Sequence, residues 1–310
     1  GSGPVRRFST DASTFTDVVV SRDGRFMAFV KQASEEAPDV FITGTDRYAP
    51  VKISDVNPDI PKFPLAKTET VTWKTKSGRE IEGLFTYPAN YVFGNRCPLV
   101  LNVHGGPHSH FRQTWTAAGD VYPVQAFSRA GYAMLRPNPR GSSGYGKDFR
   151  YANLNDWGYG DFEDLMAGVD HVIALGVAHP DSLCIMGWSY GGYMTAFAVT
   201  RTNRFKAASM GAGISNLSSF TGTSDILSFI PGYFGEIWER PEAYVKHSAI
   251  FRVKEVTTPV LVLHGADDRR VPISQGYEFH HALKRKGVPT EMVVYPRSQH
   301  GLSEPKFILD

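Results

Sequence analysis

Ser189, the pair Asp267 and Asp268, and His300 occur along this 310-residue chain in an order that could carry acyl transfer. Ser189 lies in Gly187-Trp188-Ser189-Tyr190-Gly191-Gly192, after the apolar, strand-like run Leu183-Cys184-Ile185-Met186. Beyond it, Met194, Ala198 and Val199 give Tyr193 to Thr200 a helical spacing. Strand, sharp turn and helix thus surround a serine with a glycine two places to either side. The small neighbours have a physical reason: the turn folds the chain back on itself in strained geometry, and larger residues there would collide. Such a turn lifts the hydroxyl above the sheet edge. It also aims the first helix amides, beginning with that of Tyr190, at negative charge developing on a bound carbonyl.

A serine hydroxyl is a weak nucleophile at neutral pH, so it needs a base, and the base needs an orienting carboxylate. Asp267 and Asp268 follow the strand-like Val260 to His264, within His264-Gly265-Ala266-Asp267-Asp268-Arg269-Arg270-Val271-Pro272. His300 follows the strand-like Glu291 to Tyr295, within Ser298-Gln299-His300-Gly301. Serine, acid and histidine in that order, each on a loop after a strand, is the arrangement of α/β-hydrolases. Chemistry alone leaves both aspartates open as the acid. His104, His108 and His110 suggest a metal cluster by spacing, but no carboxylate or cysteine set accompanies them, so no metal and no cofactor is expected.

The elements that would position these groups alternate. Glu69 to Trp73 and Ile81 to Tyr87 read as a strand pair, and Pro98 to His104, Tyr132 to Leu135 and Lys206 to Met210 as further strands. Between 161 and 175, Phe162, Leu165, Met166, Val169 and Val172 step by three and four, with Asp161 and Asp164 placed to cap the start. Ser274 to Leu283 reads as another helix. The pattern predicts an α/β fold with a doubly wound, mostly parallel sheet over residues 64–310. Residues 1–63 differ: Thr16 to Val20, the turn Ser21-Arg22-Asp23-Gly24, Arg25 to Val30, Val40 to Thr43 and Val51 to Ile53 make about one blade of a propeller. The proline-rich Asn57 to Pro64 is the expected link.

Composition narrows the partners. Lys and Arg number 33 against 31 Asp and Glu, a net charge of +2, and the longest basic run is Lys284-Arg285-Lys286. Nucleic acid is therefore not the expected partner. No apolar stretch approaches the roughly 18 residues of a membrane span, and the N-terminus lacks a signal-peptide layout. Gly1-Ser2-Gly3 resembles an expression scar. The expected compartment is the cytoplasm, or the periplasm or exterior if a signal was removed. Cys97 and Cys184 read as buried free thiols.

The segments HGGPH (His104 to His108), NPRGSSGYG (Asn138 to Gly146), GWSYGG, HGADDRRVP and QHG together resemble the catalytic domain of the prolyl oligopeptidase family of serine peptidases. The likeness is closest to its acylaminoacyl-peptidase and bacterial dipeptidyl-peptidase branch. It implies the α/β-hydrolase fold, with Ser189, Asp268 and His300 as the catalytic residues and Asp268 chosen over Asp267. It also implies an oxyanion hole from the amides of Gly106 and Tyr190. Tyr190, Ile214, Leu217 and Phe220, all apolar in character, and Arg270 are expected at the substrate, whereas Arg140 is expected to hold loops together. The implied reaction is hydrolysis of small peptides with release of short or N-acylated units. A carboxylesterase on small acyl esters and a non-catalytic binding module are the alternatives. The family's full propeller and final helix are not matched here, so exposed sheet covered by a homo-oligomer or further chain segments is also expected.

Overall fold

The computed structural model describes residues 7–60 and 64–310. β1 (Thr14–Val20), β2 (Phe26–Ala33), β3 (Glu36–Gly44) and β4 (Val51–Lys52) form an antiparallel sheet in sequence order, as a blade-like segment requires. The first reversal is made by Gly24, which sits at φ 72° and donates to Ser21 O at 2.9 Å. Gly1-Ser2-Gly3 and the Pro61 to Phe63 part of the link lie outside the described residues. The β2–β3 hairpin is fastened to the rest of the molecule: Gln32 Oε1 accepts from Trp115 N at 3.0 Å, and Ser34 O from Thr116 N at 3.2 Å.

From residue 64 onward strands and helices alternate. The order is β5 (Thr68–Lys74), β6 (Glu80–Thr86), β7 (Cys97–Val103), α1 (Val124–Arg129), β8 (Ala133–Asn138), α2 (Lys147–Arg150), α3 (Gly160–Ala174), β9 (Ala178–Trp188), α4 (Tyr190–Val199) and β10 (Phe205–Gly211). Short helices α5 (Leu217–Thr221), α6 (Phe229–Phe234) and α7 (Pro241–Lys246) precede β11 (Val260–Gly265), α8 (Ser274–Lys286), β12 (Thr290–Tyr295) and α9 (Pro305–Ile308). The eight strands lie in the order β12-β11-β10-β9-β7-β8-β6-β5. The six from β7 to β12 run parallel, and β6 and β5 form an antiparallel edge. α3, α4 and α8 pack on one face of this mixed sheet, with α1 and α9 on the other, so it is doubly wound. That second face is less covered. Tyr122, Phe127, Met186, Leu263, Val293 and Phe307 line a groove along it, and Cys184 is half-buried there while Cys97 is buried.

Three local expectations are corrected. β9 starts at Ala178 rather than Leu183, because pairing with β7 extends the strand past its apolar run. α4 starts at Tyr190 rather than Tyr193, taking two glycines into its first turn. Asp164 does not cap α3: both its oxygens bind Arg140. Asp161 accepts from the Phe162 amide at 2.9 Å but turns its other oxygen to the Tyr190 hydroxyl, and it is Asp156 that takes the Gly160 amide at the helix start.

The main core lies between the sheet and α3, α4 and α8, and its centre is aromatic. Trp157, fully buried, is ringed by Tyr190, Tyr193, Phe229, Tyr233 and Phe234 at centroid separations of 4.6–5.8 Å. Phe197 extends this cluster on α4, fully buried and so tight against Gly158 that a methyl there would lie 2.6 Å from the ring. Phe197→Ala is therefore expected to cost about 3–5 kcal/mol. Equilibrium urea unfolding measures this, and a loss below about 1 kcal/mol would contradict the packing described.

Candidate active site

Between the end of β9 at Trp188 and the start of α4 at Tyr190, Ser189 alone makes the turn, at φ 62° and ψ −119°. That conformation is strained for a residue with a side chain. It is held by its surroundings: Ser189 N donates to Gly211 O and Ser189 O accepts from Tyr193 N, each at 2.9 Å. Added methyl groups would lie 2.5 Å from Gly191 C at Gly187, 2.0 Å from Val103 O at Gly191, and 2.4 Å from Gly211 O at Gly192. All three contacts are with backbone, which cannot move aside cheaply. The glycines are therefore a condition of the turn.

The acid and the histidine arrive on loops laced together. Ala266 N donates to Tyr295 O and Asp267 N to Ser298 O, both at 2.9 Å, and Trp188 Nε1 donates to His300 O at 2.7 Å. Asp267 is exposed. Asp268 is buried, and its Oδ1 accepts from the amides of Arg270 at 2.9 Å and Val271 at 3.0 Å, leaving Oδ2 for His300 Nδ1 at 2.8 Å. The structure thus sets Asp268, not Asp267, against the histidine. A carboxylate can only accept there, so the ring proton sits on Nδ1 and Nε2 keeps the lone pair a general base needs. His264, fully buried beside them, donates from Nε2 to Val271 O at 2.8 Å, and burial lowers its pKa, so it stays neutral.

The loop after β7 lies against Ser189: a methyl on Gly105 would be 3.4 Å from its Cβ and 3.9 Å from its Oγ. Gly106 takes φ 119°, a conformation closed to other residues, and a methyl there would meet His108 N at 2.3 Å. The three neighbouring histidines do not converge. His104 Nδ1 meets Gly105 O at 2.7 Å and its Nε2 meets Ser142 Oγ at 2.9 Å, whereas His110 Nδ1 meets Ser143 Oγ at 2.9 Å. These bonds stitch the HGGPH loop to NPRGSSGYG, as does the side chain of Asn138, which accepts from Phe111 N at 2.7 Å and donates to Phe111 O at 2.9 Å. The second loop is in turn held to α3 by Arg140, whose Nε and Nη2 donate to the two oxygens of Asp164 at 2.9 and 2.7 Å.

Of the side chains expected at the substrate, four lie in the core. Tyr190, Ile214, Leu217 and Phe220 are at most 2 % exposed and belong to the main core, so their apolar character serves packing. Arg270 is half-exposed and its Nε pairs with Asp225 Oδ1 at 2.7 Å, while its amide supports Asp268. Two features carry no local signal in the sequence. One is the ring cluster around Trp157, assembled from three separate segments with no local periodicity to announce it. The other is the buried pair behind the elbow, in which the Tyr190 hydroxyl donates to Asp161 Oδ2. Burial is the main cause that raises the Asp161 carboxyl to about 7.

With that geometry in view, comparison with known proteins assigns the chain. The sequence profile of the prolyl oligopeptidase peptidase family matches residues 120–310. The chain belongs to that family. Among similar proteins is the uncharacterized peptidase YuxL of Bacillus subtilis, 38% identical over 243 residues that cover 76% of this chain and 36% of that protein. The acylamino-acid-releasing enzyme of Arabidopsis thaliana is 32% identical over 237 residues, 73% of this chain and 30% of its own length. This family member therefore spans about a third of the length of the curated relatives it matches. A solved acylaminoacyl peptidase in complex with Z-Gly-Gly-Phe-chloromethyl ketone superposes with a TM-score of 0.87 at 27% identity, over 97% of this chain and 48% of that one. Among the described residues, no group of three or more metal-ligating side chains converges, and no helix is long and apolar enough to cross a membrane.

The buried carboxyl gives a pH test. Its folded value of about 7 lies above that of an aspartate in the unfolded chain, about 4. Asp161 thus favours the fold at acid pH, and that contribution is lost as pH rises through this interval. Asp161→Asn cannot ionise. Relative to it, the wild-type protein is expected to lose thermal stability between pH 4 and 7, and parallel stability curves would contradict the assignment.

Proposed function

We propose that this chain is the catalytic unit of a serine peptidase that hydrolyses short or N-acylated peptides through an acyl-enzyme on Ser189. The observation that carries the reading is the 2.8 Å bond from His300 Nδ1 to buried Asp268, on a loop that Trp188 ties to the strained elbow holding Ser189. In the proposed reaction Ser189 Oγ attacks the carbonyl carbon and gives its proton to His300 Nε2. Negative charge moves to the carbonyl oxygen, where the amides of Gly106 and Tyr190 receive it. Collapse breaks the bond to nitrogen, and the leaving amine takes the proton from His300. Water then attacks the acyl group by the same route, with its proton passing through His300 to Ser189. Asp268 orients the ring and stabilises the imidazolium without taking the proton.

The peptide and N-acyl parts of this reading draw support from the relatives, one an acylamino-acid-releasing enzyme and one an acylaminoacyl peptidase carrying a phenylalanine-ending inhibitor.

Hydrolysis of an N-acetyl-alanine anilide and of a short-chain nitrophenyl ester by the intact protein tests this directly. Both are expected to be cleaved, and Ser189→Ala should lower turnover by about 10⁶-fold. Retention of more than a few per cent would remove Ser189 from the mechanism, and cleavage of the ester alone would overturn the peptidase assignment. For the acid, Asp268→Asn is predicted to lower kcat by about 10⁴-fold. Asp267→Asn should stay near wild type, and the reverse pattern would reassign the role.

A further inference from the structure

We propose that Arg150 is a specificity-determining residue that takes a carboxylate of the substrate. This rests on the reading of Ser189 as nucleophile and of short peptides as substrates. Arg150 ends the short helix α2, which is tied to the NPRGSSGYG loop by the bond from Gly141 N to Phe149 O at 2.9 Å. Ser143 N of that loop donates in turn to Ser109 O at 3.3 Å, a few residues past Gly105, where a methyl would be 3.4 Å from Ser189 Cβ. On its other side, Arg150 Nη1 donates to the Tyr233 hydroxyl at 3.4 Å. The Tyr233 ring lies 4.6 Å from that of Trp157, and Trp157 lies 4.8 Å from Tyr190, the residue after Ser189. Arg150 thus joins two groups of residues that border Ser189. Its charge is felt in the first: together with the larger effect of burial, it lowers the pKa of His108.

What leaves this cation available to a ligand is its lack of an acidic partner. Arg140 and Arg270, which brace loops of the site, are closed on Asp164 and Asp225 at 2.7 Å each. Among the described residues, no carboxylate lies within ion-pair distance of Arg150. Asp148, two places earlier on the same helix, faces a different side, because positions i and i+2 do not meet. The Tyr151 ring lies 5.4 Å from the guanidinium carbon and takes the face of the fork. Tyr233 takes one of the five N–H donors, so most of the edge has no side-chain acceptor among the described residues. Arg150 is also half-buried, where an ion pair is screened less than at full exposure. A carboxylate matches the fork with two parallel charged bonds, whereas a carboxamide offers one oxygen and no charge. Short peptides bring a carboxylate from two sources: the side chain of an acidic residue on the acyl side, and the C-terminus of the leaving amine.

Steady-state kinetics of the intact protein on two matched pairs tests the proposal and separates the sources. N-acetyl-Ala-Glu anilide against N-acetyl-Ala-Gln anilide reads the acyl side, and N-acetyl-Ala-Ala against its C-terminal amide reads the leaving group. The acid is predicted to exceed the amide by about tenfold in kcat/KM, and the pair that shows this names the source. The difference should lie in KM, since the carboxylate is remote from the reacting atoms. Arg150→Gln is predicted to bring the ratio to about one, and Arg150→Lys, with the charge but not the fork, to an intermediate value. Equal rates within both pairs in the wild-type protein, or an acid preference that Arg150→Gln leaves intact, would overturn the proposal. The wild-type protein alone supplies a further test that does not depend on the folding of a variant. Its acid preference should shrink as salt rises from about 0.05 to about 0.5 M, and a preference indifferent to salt would also overturn the proposal. A Ser189→Ala control separates the two failures. Activity independent of Ser189 defeats the functional reading, whereas Ser189-dependent cleavage with no acid preference defeats only this inference.

Discussion

The backbone of α4 passes so close to the end of β7 that nothing larger than a hydrogen fits at Gly191, where a methyl would lie 2.0 Å from Val103 O. Much of the site depends on that approach. It brings the first turn of α4 beside the backbone of Val103 and His104, where the loop after β7 begins. It also leaves the residue between strand and helix no relaxed conformation, which is why Ser189 stands at a positive φ with its hydroxyl out of the sheet. The strain is sustained because neighbouring backbone bonds, to Gly211 O and from Tyr193 N, over-determine the turn.

Electrostatics complete what packing begins. Asp268 is buried, yet its carboxylate is satisfied by two backbone amides and one imidazole, so it needs no cation in contact. The nearby buried histidines are kept neutral by burial, with His104 held down to about 4. These two imidazoles therefore add no positive charge of their own near neutral pH. Arg140 closes its fork on Asp164 and fixes the loop that carries Ser142 and Ser143.

The elbow was legible in the sequence because steric demands there admit only glycine, and the three chemical groups because each follows an apolar strand on a short loop. Alternation of strands and helices was legible for the same periodic reason. Helix starts were less so: Gly191 and Gly192 argue locally against a helix, and tertiary contact overrides that preference. The region between β10 and β11 breaks into short helices with prolines and glycines that give no sustained period. Ile214, Leu217 and Phe220 show the limit of composition, since an apolar side chain suits a pocket wall and a core equally well. Trp157 and its ring of neighbours, and Asp161 against Tyr190, depend on residues far apart in the chain, which no local pattern joins.

The central claim is that Ser189, set by the elbow and served by His300 and Asp268, is the nucleophile. Its most direct test is to react the folded protein with a fluorophosphonate and locate the adduct by peptide mass mapping. A single adduct on Ser189, formed far more slowly after His300→Ala, is the predicted result. An unlabelled folded protein would contradict the claim and point to a binding module on a hydrolase fold, and an adduct on a different serine would move the chemistry elsewhere in the molecule.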